Sequence, residues 1–219
     1  MNETTAWPWA ILFLLGAYHG INPGMGWLFA VALGMQEKSS RAVWRALGPI
    51  SVGHALSIGV VVMMAGLIEA VLPLSALKML TAGTLFALGL YRLFRHRHPR
   101  WGGMQVGFGD LTIWSFLMAS AHGAGLMVLP ILFRMPGNGV EVATSGMNHH
   151  QHLMSTMGGT STDLTAVLVH TLGYLVFTGL VAWIVYRKLG LGLLRKAWLN
   201  LDLIWAVVLM ITGFFVVLV

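Results

Sequence analysis

The chain contains no cysteine and very little charge. Without cysteine it can form no disulfide and offers no thiolate, so a metal site would need imidazole, thioether or oxygen ligands. Only 9% of the residues are charged and 57% are hydrophobic, whereas about 25% of an average soluble domain is charged. This composition excludes an ordinary water-soluble domain and indicates an integral membrane protein.

Motifs for catalysis are also missing. The sequence has no Ser/His/Asp set, no His-Glu-x-x-His and no phosphate-binding loop, so we expect a protein that is not an enzyme. Basic residues lie in short segments beside apolar runs rather than in one patch, which is not the pattern of a nucleic-acid-binding protein.

Six apolar runs of about 20 residues or more are long enough to cross a hydrocarbon core of about 30 Å. They lack the alternation of barrel strands, so we predict transmembrane helices. Among the 13 Lys and Arg residues, all but Lys78 and Arg134 lie at or after the ends of runs one, three and five, which places those segments in the cytoplasm and both termini outside. We expect a multi-pass protein of the bacterial cytoplasmic (inner) membrane. The runs are Trp7–Leu33, Leu47–Leu72, Leu74–Phe94, Val106–Phe133, Leu164–Tyr186 and Leu199–Val219.

A histidine pattern occurs twice along the chain. A-Y-H-G (Ala17–Gly20) in run one matches S-A-H-G (Ser120–Gly123) in run four, and G-H-A-L (Gly53–Leu56) in run two matches V-H-T-L (Val169–Leu172) in run five. With three runs in each half, the second half enters the membrane from the opposite side, as in the inverted repeats of secondary transporters.

The predicted fold is therefore an all-α membrane domain over residues 1–219, built from two inverted three-helix repeats. The repeats cover about 7–94 and about 106–219, and a flexible outer segment covers about 135–162. Glycine-rich faces are compatible with a monomer, a homo-oligomer or a subunit of a larger membrane complex.

The first run contains a helix-breaking stretch near its centre. Pro23 donates no backbone hydrogen bond and clashes with the carbonyl four residues earlier, which belongs to His19. We therefore expect the helix to break at Pro23 and Gly24. The freed carbonyl, the imidazole of His19 and the amide of Asn22 would together form a cation site.

Four histidines lie inside the runs, where ionisable side chains are rare and usually mark a pathway, a proton relay or a ligand site. Neutral imidazole suits nickel, copper, zinc and iron. Carboxylates, which calcium and magnesium require, are nearly absent from the runs. We predict a transition-metal site near the middle of the membrane, with candidate ligands His19, Asn22, His54, His122 and His170.

A second candidate metal-binding segment reads M-N-H-H-Q-H-L-M-S-T-M at residues 147–157. Short histidine-rich tracts bind metal ions loosely, and added thioethers favour softer ions such as Cu(I). We predict that this segment captures metal outside the membrane. The candidate residues are Met147, His149, His150, His152, Met154 and Met157.

The motif G-A-x-H-G-x-x-P-G at Gly16–Gly24 resembles the first-helix motif of the nickel/cobalt exporter (NicO) family of LysE-like transporters. The segment Gly53–Leu56 is similar to the part of their second helix that carries a histidine. The resemblance implies that His19 is a metal ligand, that His54 is a second ligand or a gate, and that nickel or cobalt is the substrate. Met25 stands where that family has a histidine. The resemblance therefore implies that Met25 is a further candidate ligand, a difference that would soften the site toward copper.

The expected function is therefore a secondary transporter of a transition-metal cation: nickel, cobalt or copper. The lipid bilayer and the metal ion are the expected partners, with no nucleic acid and no organic cofactor. One alternative is a small-solute exporter, or an accessory subunit of a membrane complex, in which the histidines relay protons. A less favoured alternative is a haem protein, since paired histidines on facing helices can hold haem axially.

Overall fold

The computed structural model describes residues 6–69, 72–94, 107–135, 149–189 and 206–216, which are helical with no strand among them. A 3-10 turn at Pro23–Met25 separates the first two α-helices. A π-helical turn at Val185–Leu189 extends the seventh. Both termini and residues 136–148, including Met147, lie outside this description. The α-helices are α1 (Trp7–Ile21), α2 (Trp27–Gln36), α3 (Ser40–Glu69), α4 (Leu74–Phe94), α5 (Phe108–Ala121), α6 (Ala124–Leu132), α7 (His149–Ile184) and α8 (Ala206–Val216).

Two helices are long and apolar enough to cross a membrane, namely Ser40–Ile68 of α3 and Ser161–Lys188, which is most of α7 with its π-helical turn. The pair α5 and α6, bent by 59°, makes a third candidate if it is one broken span. The remaining apolar helical segments of the described chain are shorter. The all-α class is therefore confirmed with two to three candidate spans, and the six-span architecture stays a prediction.

The outward faces of these helices are apolar. On α3 the exposed side chains include Leu56, Val60 and Met63, at the spacing of one helical face. On α7 a similar face carries Leu164 and Leu168 among others. In a soluble protein these faces would be polar, so the pattern is compatible with a lipid environment.

The first run is broken where Pro23 predicts it. Helix α1 ends at Ile21, the chain makes one 3-10 turn, and α2 begins at Trp27. Gly26 has a φ of 129°, a value that a residue with a side chain rarely adopts. The interruption thus depends on a proline and a glycine that the sequence places three residues apart.

A second interruption separates α5 from α6 at His122 and Gly123. Gly123 has a φ of 73°, in the left-handed region that ends helices. Val106–Phe133 reads as one apolar run, and its sequence does not predict this break. Gly123 could have indicated the break, because it follows His122 as Gly20 follows His19 just before the first break.

Helix α7 begins earlier than expected. Its backbone is helical from His149 onward, so His149, His150 and His152 belong to its first turns rather than to a loop. The sequence predicts a flexible segment up to residue 162, and the structure instead has a helical backbone from His149. Leu, Met and Gln are good helix formers, and no proline interrupts this stretch.

Close packing at glycines holds the histidine-bearing helices together. At Gly20 of α1 an added side-chain carbon would lie 2.6 Å from the carbonyl oxygen of Tyr174 on α7. At Gly53 of α3 it would lie 2.9 Å from the backbone nitrogen of Phe116 on α5. Small residues that let helix backbones approach are typical of membrane proteins, where lipid tails provide no hydrophobic driving force between helices.

Candidate metal centre

Three of the four predicted histidines meet in the interior. His19 comes from α1, His54 from α3 and His170 from α7, and each is fully buried. The ring centroids of His19 and His170 are 5.0 Å apart, those of His54 and His170 are 5.5 Å apart, and those of His19 and His54 are 5.7 Å apart. We call these three residues the histidine cluster. Residues distant in sequence thus form one site, which the close contact of α1 with α7 brings together.

The spacing of the cluster fits three ligands of one ion. Imidazoles bound to one metal at about 2.0–2.1 Å in tetrahedral geometry have ring centroids about 5.2 Å apart. The observed distances, from 5.0 to 5.7 Å, bracket this value. As the side chains stand, no three His, Asp or Glu residues in the described segments are arranged to hold a metal. The rings of His54 and His170 are within 7° of parallel, so rotation of a ring about its Cβ–Cγ bond is required for the nitrogens to converge.

The hydrogen bonds of the cluster define its protonation. Nδ1 of His19 lies 2.7 Å from the carbonyl oxygen of Leu15. Since a carbonyl only accepts, Nδ1 carries the proton and the lone pair of a neutral ring is on Nε2. Metal-binding histidines commonly donate their other ring N–H to a backbone carbonyl in this way. The His19 ring is therefore oriented as a metal ligand through Nε2.

His54 and His170 are buried polar groups that need an explanation. In the described part of the chain, neither ring nitrogen of either residue has a hydrogen-bond partner; the Leu12 backbone lies beside His170 without meeting hydrogen-bond geometry. Leaving a buried polar atom unsatisfied costs about 1–3 kcal/mol. Such atoms in a native protein commonly mark a functional site or bind an ion or water.

Tyr174 connects the cluster to the helix break and was missed by the sequence analysis. It lies one helical turn after His170, and its ring stacks on that of His54 with centroids 3.8 Å apart and planes within 5°. Its hydroxyl donates a hydrogen bond to the carbonyl oxygen of Met25. The spacing of four residues from His170 was an available signal, because residues four apart share one face of a helix.

The backbone groups freed by the break are taken up locally, which corrects one expectation. The His19 carbonyl accepts a hydrogen bond from the backbone N–H of Asn22, at 3.2 Å, so it is not bare. The side-chain oxygen of Asn22 accepts a bond from the N–H of Gly24, at 2.9 Å, and so caps the turn. The chain makes a 3-10 turn after His19. The backbone N–H groups of this turn satisfy acceptors that would have no donor in a straight helix containing Pro23.

Comparison with protein-family models, with curated proteins and with solved structures finds no match to this chain. The chain's own contacts are therefore the basis of its functional interpretation.

His122 lies at the second break, against the turn of the first. It is buried, and its Nδ1 is 2.7 Å from the carbonyl oxygen of Met118, the same bond to the residue four positions earlier that His19 makes. A side-chain carbon at Gly24 would lie 3.8 Å from Cε1 of His122 and 3.4 Å from the side-chain oxygen of Asn22. The second break thus packs against the first.

The His/Met-rich segment is remote from the cluster. On α7, His149 precedes His170 by 21 residues, which corresponds to about 30 Å along a helix. His150, His152, Met154 and Met157 lie in the same first turns of α7. Metal bound by this segment would therefore not share ligands with the cluster.

Proposed function

We propose that this protein is a secondary transporter that carries a transition-metal cation across the bacterial inner membrane through the histidine cluster. The observation that supports it is the meeting of three buried imidazoles from three helices, at the spacing of ligands to one ion, in a chain of membrane-like composition. Buried ionisable groups in such chains are usually functional. Nickel or cobalt is implied by the family resemblance at Gly16–Gly24, and copper by the methionines.

Matched contacts support the six-span plan of two inverted repeats. If His19 corresponds to His122, then Leu15 corresponds to Met118, and both histidines make the same 2.7 Å bond to these carbonyls. Each is followed by a glycine and a helix break. An inverted repeat places a substrate site at its interface, near the bilayer midplane.

A second pair of contacts obeys the same correspondence. Ser57 of α3 shares a 2.8 Å hydrogen bond with Ser120 of α5. Their counterparts in the other repeat are Gly173 of α7 and Ala17 of α1, and a side-chain carbon at Gly173 would lie 3.2 Å from the Ala17 nitrogen. The packing of α3 with α5 thus resembles that of α7 with α1, as two inverted copies of one unit require.

The haem alternative has less support. Two axial histidines must leave the space between them to the macrocycle. In the cluster, Tyr174 lies flat on one face of His54 at 3.8 Å, and His170 is 5.5 Å away with its ring nearly parallel. This arrangement leaves too little room for a porphyrin between the rings.

Metal analysis of the purified full chain tests the proposal. We expect a bound transition metal that is lost in His54→Ala and in His19→Ala. We expect it to be retained in His96→Ala, a histidine in a basic segment outside the apolar runs. In proteoliposomes, His54→Ala should abolish metal transport at every metal concentration, because no other ligand replaces water in the interior. Metal binding and transport that are unchanged in both cluster variants would contradict the proposal and favour the small-solute alternative.

A further inference from the structure

The described residues around the histidine cluster carry no formal charge. Among the described residues, no Asp, Glu, Lys or Arg side chain is buried. The described acidic side chains lie away from the cluster. Glu37 and Asp110 are exposed, and Asp163 precedes His170 by seven residues, or about 10 Å along α7. The buried polar residues are all neutral or are histidines: His19, Asn22, Ser51, His54, Ser57, Thr81, Ser115, His122, His170 and Thr178.

Helix ends do not supply the missing charge. The negative C-terminal end of α1 at Ile21 is followed by the positive N-terminal end of α2 at Trp27, and α5 and α6 repeat this order at Ala121 and Ala124. Opposed ends of this kind largely cancel. Nor does a bare carbonyl remain at His19, because Asn22 donates to it. An ion in the cluster would therefore bring its full charge into an interior whose described residues are uncharged.

Charge then decides between candidate ions. The cost of moving an ion out of water rises with the square of its charge, so a dication costs about four times as much as a monocation of similar size. Sites that hold Ni(II), Co(II) or Zn(II) commonly include a carboxylate or a thiolate that offsets this cost. Three neutral imidazoles offer no such offset themselves, and where they alone hold Zn(II) a water molecule occupies the open fourth position. A monovalent ion needs far less offset.

The donor atoms of the cluster are compatible with copper, and thioethers lie near the break. Copper is among the metals that imidazole binds well, and Cu(I) accepts nitrogen and thioether ligands. A thioether is close to the break, since the methyl carbon of Met118 would lie 3.4 Å from a side-chain carbon at Gly24. Met25 is buried at the same turn.

We propose that the cargo of the histidine cluster is a soft monovalent cation, Cu(I), rather than a nickel or cobalt dication. This inference rests on the proposed function, because it specifies the ion of the same site. It differs from the nickel or cobalt ion that the resemblance at Gly16–Gly24 implies. That motif contains no information on the charge of the interior, and the charge is the basis of this inference.

Competition binding to the purified full chain in detergent tests the inference. The probes are Ag(I), an air-stable ion with the charge and softness of Cu(I), together with Ni(II) and Co(II). The chain should carry alanine at the three histidines and the three methionines of the His/Met-rich segment, so that this segment offers no ligand to the probes. We expect Ag(I) to bind about tenfold or more tighter than either dication, and the Ag(I) site to disappear in His54→Ala.

A charge variant tests the physical reason. His19→Glu places a carboxylate beside His54 and His170, a ligand set that suits dications. It should gain Ni(II) or Co(II) affinity relative to His19→Gln, which matches it in size but is neutral. An equal affinity of folded His19→Glu and His19→Gln for dications would overturn the charge argument.

The outcomes separate the two proposals. Dication binding that depends on His54 and is tighter than Ag(I) binding would overturn the monovalent assignment and leave the transporter proposal standing. If no metal binds in a way that depends on His54, both the monovalent assignment and the transporter proposal are overturned. Should the His19 variants fail to fold, the comparison of ions on the chain with His19 intact decides alone.

Discussion

Gly16 of α1 determines how closely His19 can approach His170. A methyl group at Gly16 would meet the carbonyl oxygen of His170 and would lie 2.9 Å from both its carbonyl carbon and the nitrogen of Tyr174. Carbon contacts need about 3.5–4.0 Å, so Gly16→Ala must separate α1 from α7 by about 1 Å. The centroids of His19 and His170, 5.0 Å apart in the structure, would then be about 6 Å apart, beyond the roughly 5.2 Å of ligands that share an ion.

We expect this variant to lose about tenfold or more in metal affinity, which corresponds to about 1.4 kcal/mol. Thermal unfolding in detergent should show a loss of about 1–3 kcal/mol, typical of overpacking. Gly59→Ala in α3 is the matched control, because a side-chain carbon there meets nothing within 4 Å. Equilibrium dialysis with metal, run on both variants and the parent, measures the affinity. A Gly16→Ala protein with parental affinity and stability would refute the role of this helix contact in forming the site.

Three further predictions concern the surroundings of the cluster. Tyr174→Phe keeps the ring on His54 but leaves the Met25 carbonyl unpaired, so thermal unfolding should show a loss of about 1–3 kcal/mol; an unchanged unfolding temperature would contradict it. Alanine at all three histidines of the His/Met-rich segment should raise the metal concentration for half-maximal uptake modestly and leave the maximal rate unchanged, because the segment is about 30 Å from His170; a variant inactive at saturating metal would make the segment the essential site. Single cysteines, unique in this chain, should be labelled from outside in the 140s and only from the cytoplasm near Arg97, and the reverse labelling would overturn the orientation.

The all-α class and the break at Pro23 follow from local sequence rules, and the structure confirms both. Apolar runs without alternation predict helices because a backbone without water must satisfy its own hydrogen bonds. Pro23 favours a break because it lacks a backbone N–H and its ring clashes with the carbonyl four residues earlier. The break at Gly123 was missed because a single glycine inside an apolar run is usually tolerated. The extension of α7 back to His149 was missed because polar composition alone does not distinguish a loop from an exposed helix.

The sequence by itself determined which residues can take part in a site. It shows that cysteine is absent, that carboxylates are nearly absent from the apolar runs, and that histidines recur in matched positions of the two halves. Residue types and their spacing are local properties, and these suffice to limit the chemistry to imidazole and thioether ligands.

Only the tertiary structure decided which of these residues meet. His19, His54 and His170 come from helices far apart in the chain, and their rings lie within 5.7 Å because glycines allow close backbone approach of α1 to α7. The bond from Asn22 to the His19 carbonyl and the stacking of Tyr174 on His54 likewise depend on the path of the chain around the break. Such contacts arise from the packing of whole helices, which short sequence motifs do not encode.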